Sequence, residues 1–220
     1  MKADWTTFWP KVLDATGETV YMVLITLALS TVGGLAVGLT LYATRKGGVL
    51  PGRFVHAVLG TLVNTIRPVP FIIAIVALAP VTRGVVGTMI GTNAAIFPMT
   101  VVATFGVARI VESNLLAVEP GVVEAARSMG ASPLRILLTV LVPEALGPLV
   151  LGLTFMLVAL IDFSAVAGTV GGGGVGSLAM TYGYLRFDTS VMVVTVLILI
   201  ALVQSAQLLG NLVSRKVLRR

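Results

Sequence analysis

Polar residues are sparse along most of this chain and gather in short clusters, leaving long apolar runs between them. Five runs, at 20–42, 54–79, 93–111, 145–167 and 191–212, approach or reach the ~20 mostly apolar residues that a helix needs to cross a bilayer. The first contains no charged residue. The second carries Arg67 and two prolines, and the third opens at Asn93, a capping residue type, and contains Pro98 and Arg109. The fourth follows Pro143, read as a helix stop, and holds Asp162 near its far end. Residues 1–19 differ: Asp4, Lys11, Asp14 and Glu18 alternate with Trp5, Phe8, Trp9, Val12 and Leu13. That pattern predicts a short amphipathic segment at the membrane interface, with Trp at headgroup depth, and it lacks the layout of a cleavable signal peptide. The expected fold is an all-α integral membrane protein forming one transmembrane domain over residues 1–220, with five spanning helices and a pair of short helices in the polar insert at 112–144.

Composition agrees with that pattern. Of 220 residues, 57% are hydrophobic and 11% charged, with a mean hydropathy of +1.04, outside the range of soluble globular domains. Cysteine is absent and His56 is the single histidine, which excludes disulfides and leaves no ligand set for zinc or an iron–sulfur cluster. The net charge of +6 would suggest nucleic acid in a soluble protein, but here the basic residues flank apolar runs and set orientation instead. Ten lie on one side (Arg45, Lys46, Arg53; Arg109, Arg127, Arg135; Arg215, Lys216, Arg219, Arg220), against Lys2, Lys11, Arg83 and Arg186 on the other. The first and third connections and the C-terminus are therefore expected in the cytoplasm, and the N-terminus outside.

Within the spans, Ser30, Gly34 and Gly38 recur at four-residue spacing, a stripe that lets another helix approach closely. Arg67-Pro68-Val69-Pro70 should kink or break the second span. Arg67 costs ~2.5–3.5 kcal/mol at a helix centre, so it should face protein, a freed carbonyl or water, and it is a candidate either for satisfying those carbonyls or for touching cargo. Asp162 is a functional candidate as an ionisable residue within a span, or a hydrated residue near the outer interface. The small residues at 164–168, Ser164 and Val166 among their number, suit a narrow outer gate and equally suit helix packing. The glycine-rich run 171–176 lacks the lysine of a phosphate-binding loop and reads as a flexible or tightly turned outer loop.

The insert at 112–144 carries two helix signatures in succession. Pro120 suits a first helical position and Gly130 a left-handed stop, and Ser132-Pro133 supplies a cap and a first-position proline for the next helix. A helix over 121–129 is too short to hold alone in water, so docking must support it. Ala125 and Ala126 keep it narrow enough for a groove, and Glu124 and Arg127 place charge at the rim, with Ser128 and Met129 completing the turn before Gly130. An ordinary solvated loop helix would show the same Glu-Ala-Ala triplet. The whole ensemble is more specific: Gly130 six residues after Glu124, and Pro143 thirteen after Gly130.

That ensemble resembles the cytoplasmic motif of ABC importer permeases, with Glu124, Ala125, Ala126, Gly130 and Pro143 matching and Val140 and Val142 where Ile and Leu are usual. Arg67-Pro68-Val69-Pro70-Phe71, Pro143-Glu144-Ala145-Leu146, the glycines at 171–176 and Tyr182-Gly183-Tyr184 look like the permease of methionine-uptake ABC transporters. The resemblance covers residues 20–215 and implies a type I importer fold in a bacterial inner membrane, with alternating access to an amino acid, methionine. It implies that Glu124 to Gly130 form a coupling helix seated in a separate ATPase, which carries the ATP and Mg, and that a substrate-binding lipoprotein delivers cargo from outside. The permease chain itself would bind no cofactor or metal and no nucleic acid, only its protein partners and membrane lipid. No lysine of a nucleotide-binding P-loop is present, and five helices are few to enclose a path, so a two-fold homodimer with two ATPase copies is expected. The alternatives are an ABC permease for another amino acid or small solute, or a secondary transporter, which usually needs ionisable residues deep in several spans.

Overall fold

The computed structural model describes residues 4–218; Lys2, Arg219 and Arg220, counted above for orientation, lie outside them. Every regular element among the described residues is helical. In chain order these are α1 (Trp5–Thr44), α2 (Arg53–Ile66), α3 (Phe71–Ala77), α4 (Ala79–Val86), α5 (Thr92–Leu116), α6 (Pro120–Ser128), α7 (Pro133–Arg135), a π-helical turn (Ile136–Leu141), α8 (Val142–Thr169), α9 (Gly174–Leu178), a second π-helical turn (Ala179–Tyr184) and α10 (Thr189–Leu218). Four helices are long and apolar enough to cross a membrane: α1, α5, the continuous run Pro133–Thr169, and Thr189–Lys216 within α10. A fifth crossing is formed only if α2 and α3, bent by 109° at Arg67–Pro70, are taken as one broken span.

The segmentation departs from the sequence pattern in four places. Residues 5–19 are not a separate interfacial segment. They are the first turns of α1, whose 40 residues span about 60 Å, twice the hydrocarbon core. The apolar face of those turns is spent on the protein: Phe8, Val12 and Ala15 are buried with Leu178 and Val191, and Trp5 and Tyr182 pack beside them. At Arg67–Pro70 the expected kink is a full break, and Pro70 caps α3 by accepting from the amides of Ile73 (2.9 Å) and Ala74 (3.0 Å). Pro143 does not stop a helix. The run Pro133–Thr169 passes through it, because the wider π-helical turn just before accommodates a ring that an α-turn would drive into the carbonyl four residues back. Asn93 is not a cap but lies inside α5, where its Oδ1 accepts from the Tyr21 hydroxyl at 3.3 Å.

The chain divides into two compact units. One comprises residues up to Leu29 with Val69–Ala103 and Leu157–Leu208; the other comprises Ser30–Pro68, Thr104–Met156 and the residues from Leu209 onward. The first unit holds the cluster around Phe8 and Val12. In the second, Leu41, Val63 and Ala108 are buried together, with Val37, Leu59 and Phe105 against them. The stripe of small residues does what its spacing suggests there. A Cβ on Gly34 would collide with the side chain of Val107, and one on Gly38 would lie 2.6 Å from the Ala108 carbonyl oxygen, so α5 lies directly on α1.

Candidate functional site

The insert at 112–144 folds as its local signals dictate. Pro120 takes the first position of α6, where its missing amide costs nothing, and Glu119 precedes it with φ −59° and ψ 126°. At the other end Gly130 adopts φ +77°, a conformation open to glycine and strained for other residues. Its amide donates to the Arg127 carbonyl (2.9 Å) and the Ala131 amide to the Ala126 carbonyl (3.1 Å). This paired closure satisfies the terminal carbonyls within the helix's own last turn. The next start is plainer than expected: Pro133 opens α7, but Ser132 makes no side-chain cap and only its carbonyl is used, by the Ile136 amide at 2.9 Å.

α6 has two faces of different character. Ala126 is buried and the helix packs on the turn Ile136–Leu141, whose Ile136, Leu137 and Leu141 are buried as well. Glu124, Ala125, Ser128 and Gly130 are exposed, and Met129 stands out at 81% exposure. The Ser128 hydroxyl donates back to the Glu124 carbonyl at 3.0 Å. Arg127 is exposed as well, and its Nη2 donates to the Gly48 carbonyl at 3.0 Å. Pro143 is exposed, beyond the π-helical turn. The motif residues thus divide into one that packs inward (Ala126), one tied to its own chain (Arg127), and an outward set bearing a carboxylate and small side chains.

Of the cargo-path candidates, Arg67 belongs to the second unit and Asp162, Ser164 and Val166 to the first. Arg67 is exposed, at the break after α2. Asp162 is exposed on α8, and Ser164 is buried with its hydroxyl donating to the Ile161 carbonyl at 2.7 Å, so neighbouring residues of one helix face opposite ways. Val166 is half-buried. Between Asp162 and Ser164, Phe163 stacks on Phe71 of α3, with centroids 4.5 Å apart and planes 13° apart. The glycine run is tightly turned, with Gly173 at φ +81° and Gly174 at φ +73°.

Three features escaped the sequence pattern. Glu18 accepts from the Gly174 amide at 2.6 Å and the Thr19 hydroxyl from the Val175 amide at 2.9 Å, a contact 156 residues apart with no local signal. Glu112, 7% exposed, is paired with Arg109 at 2.8 Å, and their i,i+3 spacing could have shown this. Gly48, the acceptor for Arg127, sits in a connection read only for its charge.

Residues 34–219 match the family described as binding-protein-dependent transport system inner membrane component. The chain belongs to that family. This permease is 49% identical over 93% of its length to a Vibrio cholerae protein described as a probable D-methionine transport system permease, MetI, and covers 91% of it. It is 38% identical over 99% of its length to the methionine import system permease MetP of Bacillus subtilis, covering 96% of that protein. A chain in a structure of the MetNI methionine ABC transporter in inward-facing conformations superposes with a TM-score of 0.94 at 39% identity, over 96% of this permease and 98% of that chain. The all-α, type I importer fold expected of the sequence is therefore the fold of this permease, which is a multi-pass inner-membrane protein.

Proposed function

We propose that this permease forms the path through which an ATP-driven importer carries methionine, as a homodimer bound to two ATP-binding subunits and served by an extracytoplasmic substrate-binding lipoprotein. ATP and Mg act on the partner. ATP binding closes the ATPase pair, the two α6 helices move together, and the spans open outward to the docked binding protein; hydrolysis and release restore the inward-facing state. The N-terminus lies outside and the C-terminus in the cytoplasm, as the excess of basic residues on the cytoplasmic connections supports.

The observation that carries this reading is α6 itself. It is a helix of nine residues, closed at both ends by its own backbone chemistry, with Glu124, Ala125 and Met129 exposed between two membrane helices. Its inward face rests on the turn Ile136–Leu141, which leaves an outward face narrow enough to enter a partner's groove. Methionine as cargo is supported by the similarity to MetI and MetP. The test is uptake of radiolabelled methionine into vesicles containing the permease and its ATPase, challenged with a panel of other amino acids. The reading expects ATP-dependent uptake displaced best by methionine. Uptake by the permease alone, driven by an ion gradient, would overturn it.

A further inference from the structure

We propose that Arg127 is a positioning residue that ties the coupling helix to the cytoplasmic end of α1, making α1 a third arm driven by that helix beside α5 and α8; this rests on the coupling reading above. Through the chain, α6 is joined only to α5, by residues 117–119, and to α7 and α8, by residues 129–132 and onward. Its link to α1 is made by Arg127 alone among its polar side chains, across 79 residues of sequence.

The acceptor is well suited to passing on a displacement. Residues 45–52 fold back on the end of α1: the Leu50 amide donates to the Ala43 carbonyl (3.0 Å), the Gly52 amide to Thr44 (3.1 Å) and the Gly48 amide to Arg45 (2.9 Å). Those bonds satisfy the last carbonyls of α1, so the turn is a stiff extension of the helix and not a slack linker. Gly48 is buried so closely that a Cβ there would collide with the Ala43 carbonyl oxygen. Arg45 is held in the same turn by stacking on Tyr42, with its guanidinium 4.3 Å from the ring centroid. Between this turn and α6 lies a cleft of about 200 Å³, lined by Tyr42, Arg45, Leu116, Val123 and Glu124. Across that gap the guanidinium of Arg127 is the strut. It is a charged donor in a fixed planar geometry, which makes a stronger and more directional bond than a neutral group would.

The test uses the assembled transporter in vesicles. In Arg127→Ala the complex should still co-purify with its ATPase, while methionine uptake per ATP hydrolysed falls about threefold to fivefold, the factor expected when a charge-assisted hydrogen bond of an exposed, solvent-screened side chain is lost. Arg127→Lys, which can still donate to the Gly48 carbonyl, should recover most of that ratio. Spin labels at Lys46→Cys and Met129→Cys give a second readout: one narrow distance, unchanged through the ATP cycle, when Arg127 is present, and a broadened distance that shifts with nucleotide in Arg127→Ala. Loss of the ATPase from Arg127→Ala would assign the residue to partner docking and overturn the inference. Unchanged coupling, or an unchanged label distance, would overturn it equally. The coupling reading fails separately, if Glu124→Arg transports normally.

Discussion

The insert at 112–144 and the glycine turn at 171–176 both reverse the chain on glycines at positive φ, Gly130 at +77° in one and Gly173 and Gly174 at +81° and +73° in the other, but they differ in where their backbone donors go. In the insert, the amides of Gly130 and Ala131 return to carbonyls three and five residues earlier. In the glycine turn, the amides of Gly174 and Val175 go to Glu18 and Thr19 of α1. A helix closed on itself can move as one piece when pushed, whereas a turn fastened by distant side chains is fixed to whatever carries them. The difference in closure suits the moving part proposed for α6 and a fixed part at the glycine turn.

That contrast can be broken by substitution, most severely at Gly130. Gly130→Pro removes the amide bonded to Arg127 and cannot adopt positive φ, so uptake should be abolished while the protein still inserts in the membrane, as measured by transport beside membrane fractionation. Gly130→Ala should be milder, since the left-handed conformation costs a β-carbon about 1–2 kcal/mol. At the glycine turn, Thr19 is 1% exposed, so Thr19→Val strands the buried Val175 amide. Thermal unfolding in detergent should show a loss of about 1–3 kcal/mol, with Thr19→Ser unaffected. Glu18 is exposed, and solvent screens its bond, so Glu18→Ala should cost about 1 kcal/mol or less and Glu18→Gln less again. If Glu18→Ala proved costlier than Thr19→Val, the glycine turn would be held by charge and not by burial.

The smallest effect is expected at the start of α1. The hydroxyl and amide of Thr6 donate to the Asp4 carboxylate and hold its pKa below the ordinary value. A carboxyl whose pKa is lowered by folding stabilises the helix start above the ordinary Asp range, and that contribution is lost as pH falls through the lowered value. The protection of the Thr6 amide, its exchange measured against the intrinsic rate at each pH, should therefore fall in acid, and Asp4→Asn should remove that change in protection.

What could be read from sequence follows the same division. Pro120 and Gly130 declare α6 because the constraint on each is local: a ring that fixes φ, and a residue without a β-carbon. The break at Arg67–Pro70 and the stripe at Gly34 and Gly38 were legible for similar reasons. The fate of Pro143 was not, because the preceding turn widens to a π-helix, a choice that tertiary packing makes. The charged pattern of residues 4–18 looked interfacial because alternation cannot tell a lipid surface from a protein one; Phe8 and Val12 in fact pack against Leu178 and Val191. Arg127 is exposed, but its hydrogen bond was not legible, because the acceptor, a backbone carbonyl at Gly48, leaves no mark in composition.

If α6 is the coupling element, its outward face is held by the ATPase of the assembled transporter. Met129, at 81% exposure, is the place to ask. In the assembled transporter, Met129→Cys treated with a short bifunctional reagent should cross-link to the ATP-binding subunit in high yield and lock transport when it does. A complex that transports methionine normally yet gives no cross-link from this position would contradict it.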